Sequence, residues 1–179
     1  MAIHATIDLE TVDTRPQSTV LSLGAVKFNP FSGDQPHSEI YFKVSIDDQD
    51  RLGRTVSDDT IEWWGKQDPK IMEEAFDQKD AITVDEALSR INKFVVGVDI
   101  LWGQGYGFDY TIIEDMYRSL GKPIPYNFWQ VRDSRTLFSL CKDDPRKMLG
   151  QNDLHNALAD AYYQARGIQL AYKMLGVNK

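Results

Sequence analysis

The strongest constraint on this chain is a short alternating stretch near its start. Ile3, Ala5, Ile7 and Leu9 alternate with His4, Thr6, Asp8 and Glu10. Side chains on a strand point to opposite faces with a period of two, so this stretch reads as a strand with one dry face and one polar face. A slip of one residue would turn the dry side to solvent, which fixes its register in any sheet it joins. The polar face carries two carboxylates, Asp8 and Glu10, two residues apart and so about 6–7 Å along the chain. Anions that close repel unless a proton or a cation lies between them. Hard divalent cations such as Mg²⁺ and Mn²⁺ take oxygen ligands and suit such a pair.

Further along, Thr19–Phe28 and Glu39–Ile46 are rich in β-branched and aromatic residues. Asn29-Pro30-Phe31-Ser32-Gly33 supplies turn chemistry between them, which predicts an antiparallel hairpin. Residues 47–57 read as a solvated loop. Asp59 is expected to cap a short helix through Ile61, Trp63 and Trp64. Asp68-Pro69, a cap followed by proline at the first helical position, starts a second through Ile71, Met72 and Phe76. Thr83-Val84-Asp85-Glu86 has the form of a capping box ahead of Ala87, Leu88, Ile91, Phe94 and Val95 at helical spacing. Asp99–Gly103 reads as a fourth strand, followed by a loop with Gly103, Gly105 and Gly107. Asp109 then opens a helix that Gly121 closes. Phe128–Arg132 reads as a fifth strand, Ser134 as the cap of a helix to Cys141, and residues 142–151 as a mobile polar loop. A last helix carries Leu158, Ala161, Tyr162, Ala165 and Tyr172, and Gly176 ends it. Three meandering strands followed by alternating strands and helices predict an α/β fold, a mixed central sheet of about five strands flanked by helices.

The 179 residues fit one domain, with 42% hydrophobic and 26% charged residues, an ordinary globular mixture. The longest apolar run, Phe94–Val98, is far short of the roughly 18 residues that a membrane span needs. No membrane partner is expected, and the start of the chain does not read as a signal peptide. Cys141 is the single cysteine, so a cysteine zinc cage is excluded and a cytoplasmic location is expected. Acidic residues outnumber basic ones by 27 to 20, a net charge of −7. That argues against a broad passive grip on a polyanion, but it does not exclude an enzyme whose carboxylates hold cations that meet the phosphate.

Two further places carry candidate chemistry. Asp109 follows a strand and a glycine loop, where sites are commonly built. His155 and Asp160 are five residues apart, which on one helix would set them about 140° from each other. They can share a site only if His155 lies on the loop or first turn and Asp160 one turn inside. Each feature alone has a plainer account: a solvated strand face, an N-cap, a surface histidine.

Taken together, D-x-E in the first strand, an aspartate after the fourth strand and H-x4-D near the end match a known order. The chain resembles the DEDDh branch of the DEDD 3′–5′ exonucleases over about residues 3–165, with Asp8, Glu10, Asp109, His155 and Asp160 at the matching positions. Thr60-Ile61-Glu62-Trp63-Trp64 with Gln67 and Pro69, and Asp133-Ser134-Arg135-Thr136, look like segments of phage exonuclease A and of related bacterial exoribonucleases. The resemblance implies a ribonuclease H-like fold, one exonuclease domain over residues 1–179, and hydrolysis assisted by two Mg²⁺ or Mn²⁺ ions, about 3.5–4 Å apart in such sites. By the same resemblance Asp8 would bridge both ions. Glu10 and Asp160 would hold the ion that carries the attacking water, and Asp109 would hold the other. His155 would accept the water's proton, imidazole being suited to that near neutrality. The substrate would be the 3′ end of single-stranded DNA or RNA, released as nucleoside 5′-monophosphates. Thr11 would lie near the terminal ribose, and Glu62 would touch a ribose or base edge. Trp63 and Trp64 are about 100° apart on a helix, so either one is core and the other a platform for a base, or both are core. Analogy with the RNA-cutting relatives implies a homodimer.

A non-catalytic binding or interaction module on the same fold is the competing expectation, because fold alone does not set function. Other polar residues read as structural: His4 in the sheet, His37 solvated, Asp133 a cap or an arginine partner. Cys141 reads as a small core residue. Arg132 and Arg135 are candidates for guiding phosphates, and Arg146 and Lys147 read as scattered surface charge.

Overall fold

The computed structural model describes residues 2–105, 107–150 and 155–178. The alternating stretch forms β1 (His4–Thr11), at the centre of a five-stranded sheet. With β2 (Val20–Phe28), β3 (His37–Lys43), β4 (Ile100–Gly103) and β5 (Val131–Asp133), the order is β3-β2-β1-β4-β5. β1, β2 and β3 pair antiparallel, whereas β4 runs parallel to β1 and β5 parallel to β4. The sheet is therefore mixed, as the hairpin followed by alternating strands and helices predicts.

The dry face of β1 does what its period requires. Ala5, Ile7 and Leu9 are buried against Leu88 and Ile91 of α4 (Val84–Phe94) and Ile112 and Ile113 of α5 (Asp109–Ser119). The polar face is also covered, by α7 (Ala157–Met174). Thr6 Oγ1 donates to the Ala161 carbonyl at 2.7 Å, which satisfies a hydroxyl that would otherwise be buried at a cost. Beside it Val26, Phe28 and Trp102 pack on Ala165, Ile168 and Ala171 of α7 and on Phe138 of α6 (Ser134–Ser139). His4 is structural here: its Nδ1 accepts from Trp102 Nε1 at 3.0 Å, and burial pulls its pKa down to about 4.

Three short helices, α1 (Ile46–Arg51), α2 (Asp58–Trp64) and α3 (Pro69–Phe76), lie between β3 and α4 in the chain. Trp64 and Ala75 bury against Val12 and Leu21. Asp68 caps α3 by accepting from Lys70 N at 2.8 Å, as its place before Pro69 predicts.

Several expectations are corrected. β3 ends at Lys43, and part of the supposed loop at 47–57 is helix α1. The reason is Gln49, buried within a run of aspartates. Its Oε1 accepts from Val20 N and its Nε2 donates to Val20 O, both at 2.8 Å, so one side chain stands in for a strand partner. Ser57, not Asp59, sits at the cap of α2. The capping box at Thr83 is half made: Thr83 Oγ1 accepts from Glu86 N, but Glu86 turns to Arg90. Phe128–Gln130 is a 3-10 turn held by Asn127 and Gln130, which shortens β5 to Val131–Asp133. Asp133 caps α6 by accepting from Arg135 N at 2.8 Å, while Ser134 Oγ bonds the Gly103 carbonyl. The polar stretch expected as a loop contains a 3-10 turn at Pro145–Met148, and its Gln151 lies outside the described residues. Among the described residues no helix is long and apolar enough to cross a membrane.

Gln49→Leu should destabilise the fold by about 2–4 kcal/mol, because it orphans a buried donor and a buried acceptor at roughly 1–3 kcal/mol each. Urea unfolding followed by tryptophan fluorescence checks this; a loss near zero would show that Gln49 holds no such bonds.

Candidate active site

The site forms where β1 outruns its neighbour. β4 pairs with β1 only from His4 to Thr6, so the later residues of β1 lack a strand partner on that side. The Leu9 N–H is taken up by Asp109, whose Oδ1 accepts it at 3.2 Å. Asp109 is the first residue of α5, while Phe108 occupies the cap position without a side-chain cap bond. Its carboxylate is therefore not the helix cap. Instead it is turned onto the end of β1, beside Asp8 and Glu10.

α7 brings the other half. Asn156 caps it, its Oδ1 accepting from Leu158 N at 3.2 Å and Ala159 N at 3.1 Å. His155 lies just outside the helix and Asp160 one turn in, the arrangement their spacing demands for a shared site. The His155 N–H donates to Asp160 Oδ2 at 2.9 Å, and His155 has φ +65°, a left-handed conformation that a residue with a side chain adopts only when its surroundings hold it there. One ligand atom each from Glu10, His155 and Asp160 lies within 4.8 Å of the other two.

α7 can reach this position because of Gly24. Gly24 pairs with Asp8 across the β1–β2 ladder, and a Cβ there would lie 2.2 Å from the backbone of Ala157 and Leu158. The start of α7 thus rests directly on bare backbone next to Asp8. Gly24 carried no local signal in the sequence, because its role depends on a helix over 130 residues away.

These residues surround a cleft of about 530 Å³. Burial pushes the Asp8 carboxyl well above the usual carboxylate range, and Asp109, Glu10 and Asp160 push it further. Burial, with Asp160, Asp109 and Glu74 adding to it, raises Glu10 to about 8. Burial raises Asp109 to about 7 against the pull of the Leu9 amide and Arg135. Such a cluster holds protons at neutral pH unless another positive charge replaces them. The donors are oxygen-rich and mutually repelling, with one imidazole, so they fit hard divalent cations.

Arg135, Arg146 and Lys147 also line the cleft, on the side of α6 and the Pro145–Met148 turn. Arg146 and Lys147, expected as scattered surface charge, are thus placed at the site. Arg146 pairs with Asp144 at 2.7 Å, and the Tyr163 hydroxyl donates to the Leu149 carbonyl at 2.6 Å, tying this turn to α7. Arg132 bonds backbone carbonyls beside β5 instead.

The remaining candidates do not line the cleft itself, and of them the two tryptophans reach a site residue, His155. Trp64 is 1% exposed and donates from Nε1 to the Thr11 carbonyl at 2.9 Å. Trp63 is 41% exposed, and its ring stands edge-on to His155 at 4.9 Å. The Thr11 hydroxyl donates to the Asp13 carbonyl at 2.8 Å, which fixes the chain as it leaves β1. Glu62 lies on the outer side of α2 in an ion pair with Lys66 at 2.8 Å.

A family model described as the Rv2179c-like 3′–5′ exoribonuclease domain matches residues 3–171. The chain belongs to that family. It is a 3′–5′ exonuclease by this match, and its five-stranded mixed sheet is the ribonuclease H-like fold, shared with the nuclease domain of 3′hExo, a DEDDh family member. The exodeoxyribonuclease of Enterobacteria phage T4 is 24% identical, over 73% of this chain and 68% of that one. Among solved structures, E. coli exonuclease I in complex with a dT13 oligonucleotide matches with a TM-score of 0.69 at 15% identity, over 98% of this chain and 42% of that one. The same enzyme has a zinc-bound complex with single-stranded DNA. The nuclease domain of 3′hExo bound to rAMP matches with a TM-score of 0.62 at 16% identity, over 96% and 92%. The Rv2179c-like chain spans less than half of the exonuclease I chain it matches.

The raised carboxyls set a pH dependence. A group with its pKa raised on folding stabilises fully below its unfolded value and loses that contribution as pH climbs through its folded value. For Glu10 that window runs from the ordinary 4.5 to about 8. In chelator, the melting temperature should therefore fall as pH rises from about 5 to 8, and saturating Mn²⁺ should remove most of the slope. An unchanged slope with Mn²⁺ would contradict the cluster. Gly24→Ala should lower the affinity for Mn²⁺ in calorimetry and destabilise by about 1–3 kcal/mol through overpacking; wild-type Mn²⁺ affinity would show that α7 does not need the glycine.

Proposed function

We propose that this protein is a metal-dependent 3′–5′ exonuclease of single-stranded nucleic acid, working as one domain and releasing nucleoside 5′-monophosphates. The observation that carries this reading is the convergence of Asp8, Glu10, Asp109 and Asp160 with His155 on one cleft. The pair of divalent cations that such sites use would supply charge for the scissile phosphate and acidity for the attacking water. Asp8, Glu10, Asp109 and Asp160 would hold them. His155, its backbone pinned to Asp160, would take the water's proton on an imidazole nitrogen as the water oxygen bonds to phosphorus. The bond from phosphorus to the 3′ oxygen of the preceding nucleotide breaks, and that oxygen leaves with a proton from solvent.

Other side chains would place the strand. Arg135 and Lys147 line the wall and would meet its phosphates. Trp63 offers a partly open ring beside His155 for the terminal base, where stacking is worth about 1–3 kcal/mol. Glu62 and Thr11 would border the terminal ribose on that side. The exoribonuclease description of the family favours RNA as the strand, while the T4 relative is named for DNA. A contact to the 2′-hydroxyl decides between the two sugars.

The test is a gel of matched single-stranded RNA and DNA labelled at the 5′ end, with Mn²⁺. A ladder shortening from the 3′ end is expected, with circular single strands left intact. Asp8→Asn should lower turnover by at least about 10³-fold, yet raise the melting temperature in chelator at neutral pH, because the folded chain no longer has to keep that buried carboxyl protonated. Cleaved circles, or turnover that survives Asp8→Asn, would overturn the reading.

A further inference from the structure

We infer that a second groove, along the C-terminal half of α7, carries the single strand that trails upstream from the cleft; this rests on the nuclease reading above. The groove has a volume of about 390 Å³ and lies between the β2–β3 turn and α7. It neighbours the cleft, and Leu149 forms part of the wall of both. α7 supplies the connection: Tyr163 faces the cleft, and Arg166, Leu170 and Lys173 follow at helical spacing on the wall of the groove. From Asp160 to Lys173 the helix runs about 20 Å, room for several nucleotides beyond the one being cut.

The chemistry of the groove suits a phosphodiester chain. Arg166 and Lys173 bring two cations to the wall of this groove, and among the described residues no aspartate or glutamate lines it. In a chain of net charge −7, such a groove is a local positive patch that suits phosphates. Arg166 is held ready for one: its Nη1 donates to the Gly33 carbonyl and to Gln169 Oε1, each at 2.9 Å. Two rings, Phe31 and Tyr172, line the same groove, 5.5 Å apart and inclined at 63°. Phe31 is 37% exposed, open enough for a base to lie on it. Cations for phosphates with aromatic faces for bases make up a sequence-tolerant single-strand track.

The experiment uses the full chain and two variants. Arg166→Gln with Lys173→Gln removes both charges while leaving an amide to bond the Gly33 carbonyl. Lys173→Glu alone changes an exposed residue. Two readouts are taken: KM with Mn²⁺ for a dinucleotide and for a strand of about ten nucleotides, within the size of known single-strand grooves, and anisotropy binding of the longer strand across a salt series. The wild type should show a lower KM for the longer strand. In the double variant that advantage should shrink about tenfold, and the slope of log affinity against log salt should flatten by about 1.4, at roughly 0.7 per lost phosphate contact. Lys173→Glu should move both in the same direction. Wild-type length advantage and salt slope in the variants would overturn the groove. If the wild type binds with this length and salt dependence but cuts neither strand, the nuclease reading fails and the groove stands.

Discussion

Where β1 runs past the end of β4, Asp8 lies among Asp109, Glu10 and Asp160; burial raises the first three carboxyls, and the neighbouring acids push Asp8 and Glu10 further. A fold driven by burial alone would not put four acids there, since buried like charges oppose folding. The sheet tolerates them because its dry face and the α7 interface supply burial elsewhere. Positive charge from outside the chain relieves the rest. Stability and function thus pull against each other at one point, as expected for a site arranged around cations.

Precision at that point comes from bonds that each perform two tasks. Asp109 completes the bonding of β1 and aims its carboxylate. Asp160 accepts the His155 amide, which holds His155 in a left-handed turn at the mouth of the cleft. Gly24 lets a helix start rest against Asp8 with no side chain between them. Trp64 ties α2 to the end of β1 through Thr11, which sets Trp63 against the His155 ring. None of these ties is strong alone, at about 0.5–1.5 kcal/mol for an ordinary hydrogen bond. Together they bring acids from β1, α5 and α7 to one place.

Much of this was legible before any coordinates. β1 was readable because its period is local and its two carboxylates announce their shared face. Asp68-Pro69 and Gly121 mark helix ends by backbone chemistry that needs no tertiary context. The division of Trp63 from Trp64 into open and buried is one of the two outcomes that helix geometry allows. Helix α1 was hidden because its single buried residue is Gln49, polar and set among aspartates. The shortness of β5 is not visible in its residues, because it follows from Asn127 and Gln130 bonding each other and winding Phe128–Gln130 into a turn. Arg146 and Lys147 looked scattered because the bond from Tyr163 that brings them to the cleft spans separate segments. Gly24 was invisible for the same reason.

The central claim is spatial, and the most direct measurement is an anomalous-difference map from crystals soaked in Mn²⁺. The account predicts a pair of strong peaks within bonding distance of Asp8, with Glu10, Asp109 and Asp160 completing their shells and His155 alongside. A well-ordered cleft without peaks, or manganese bound only at acids elsewhere on the surface, would contradict it.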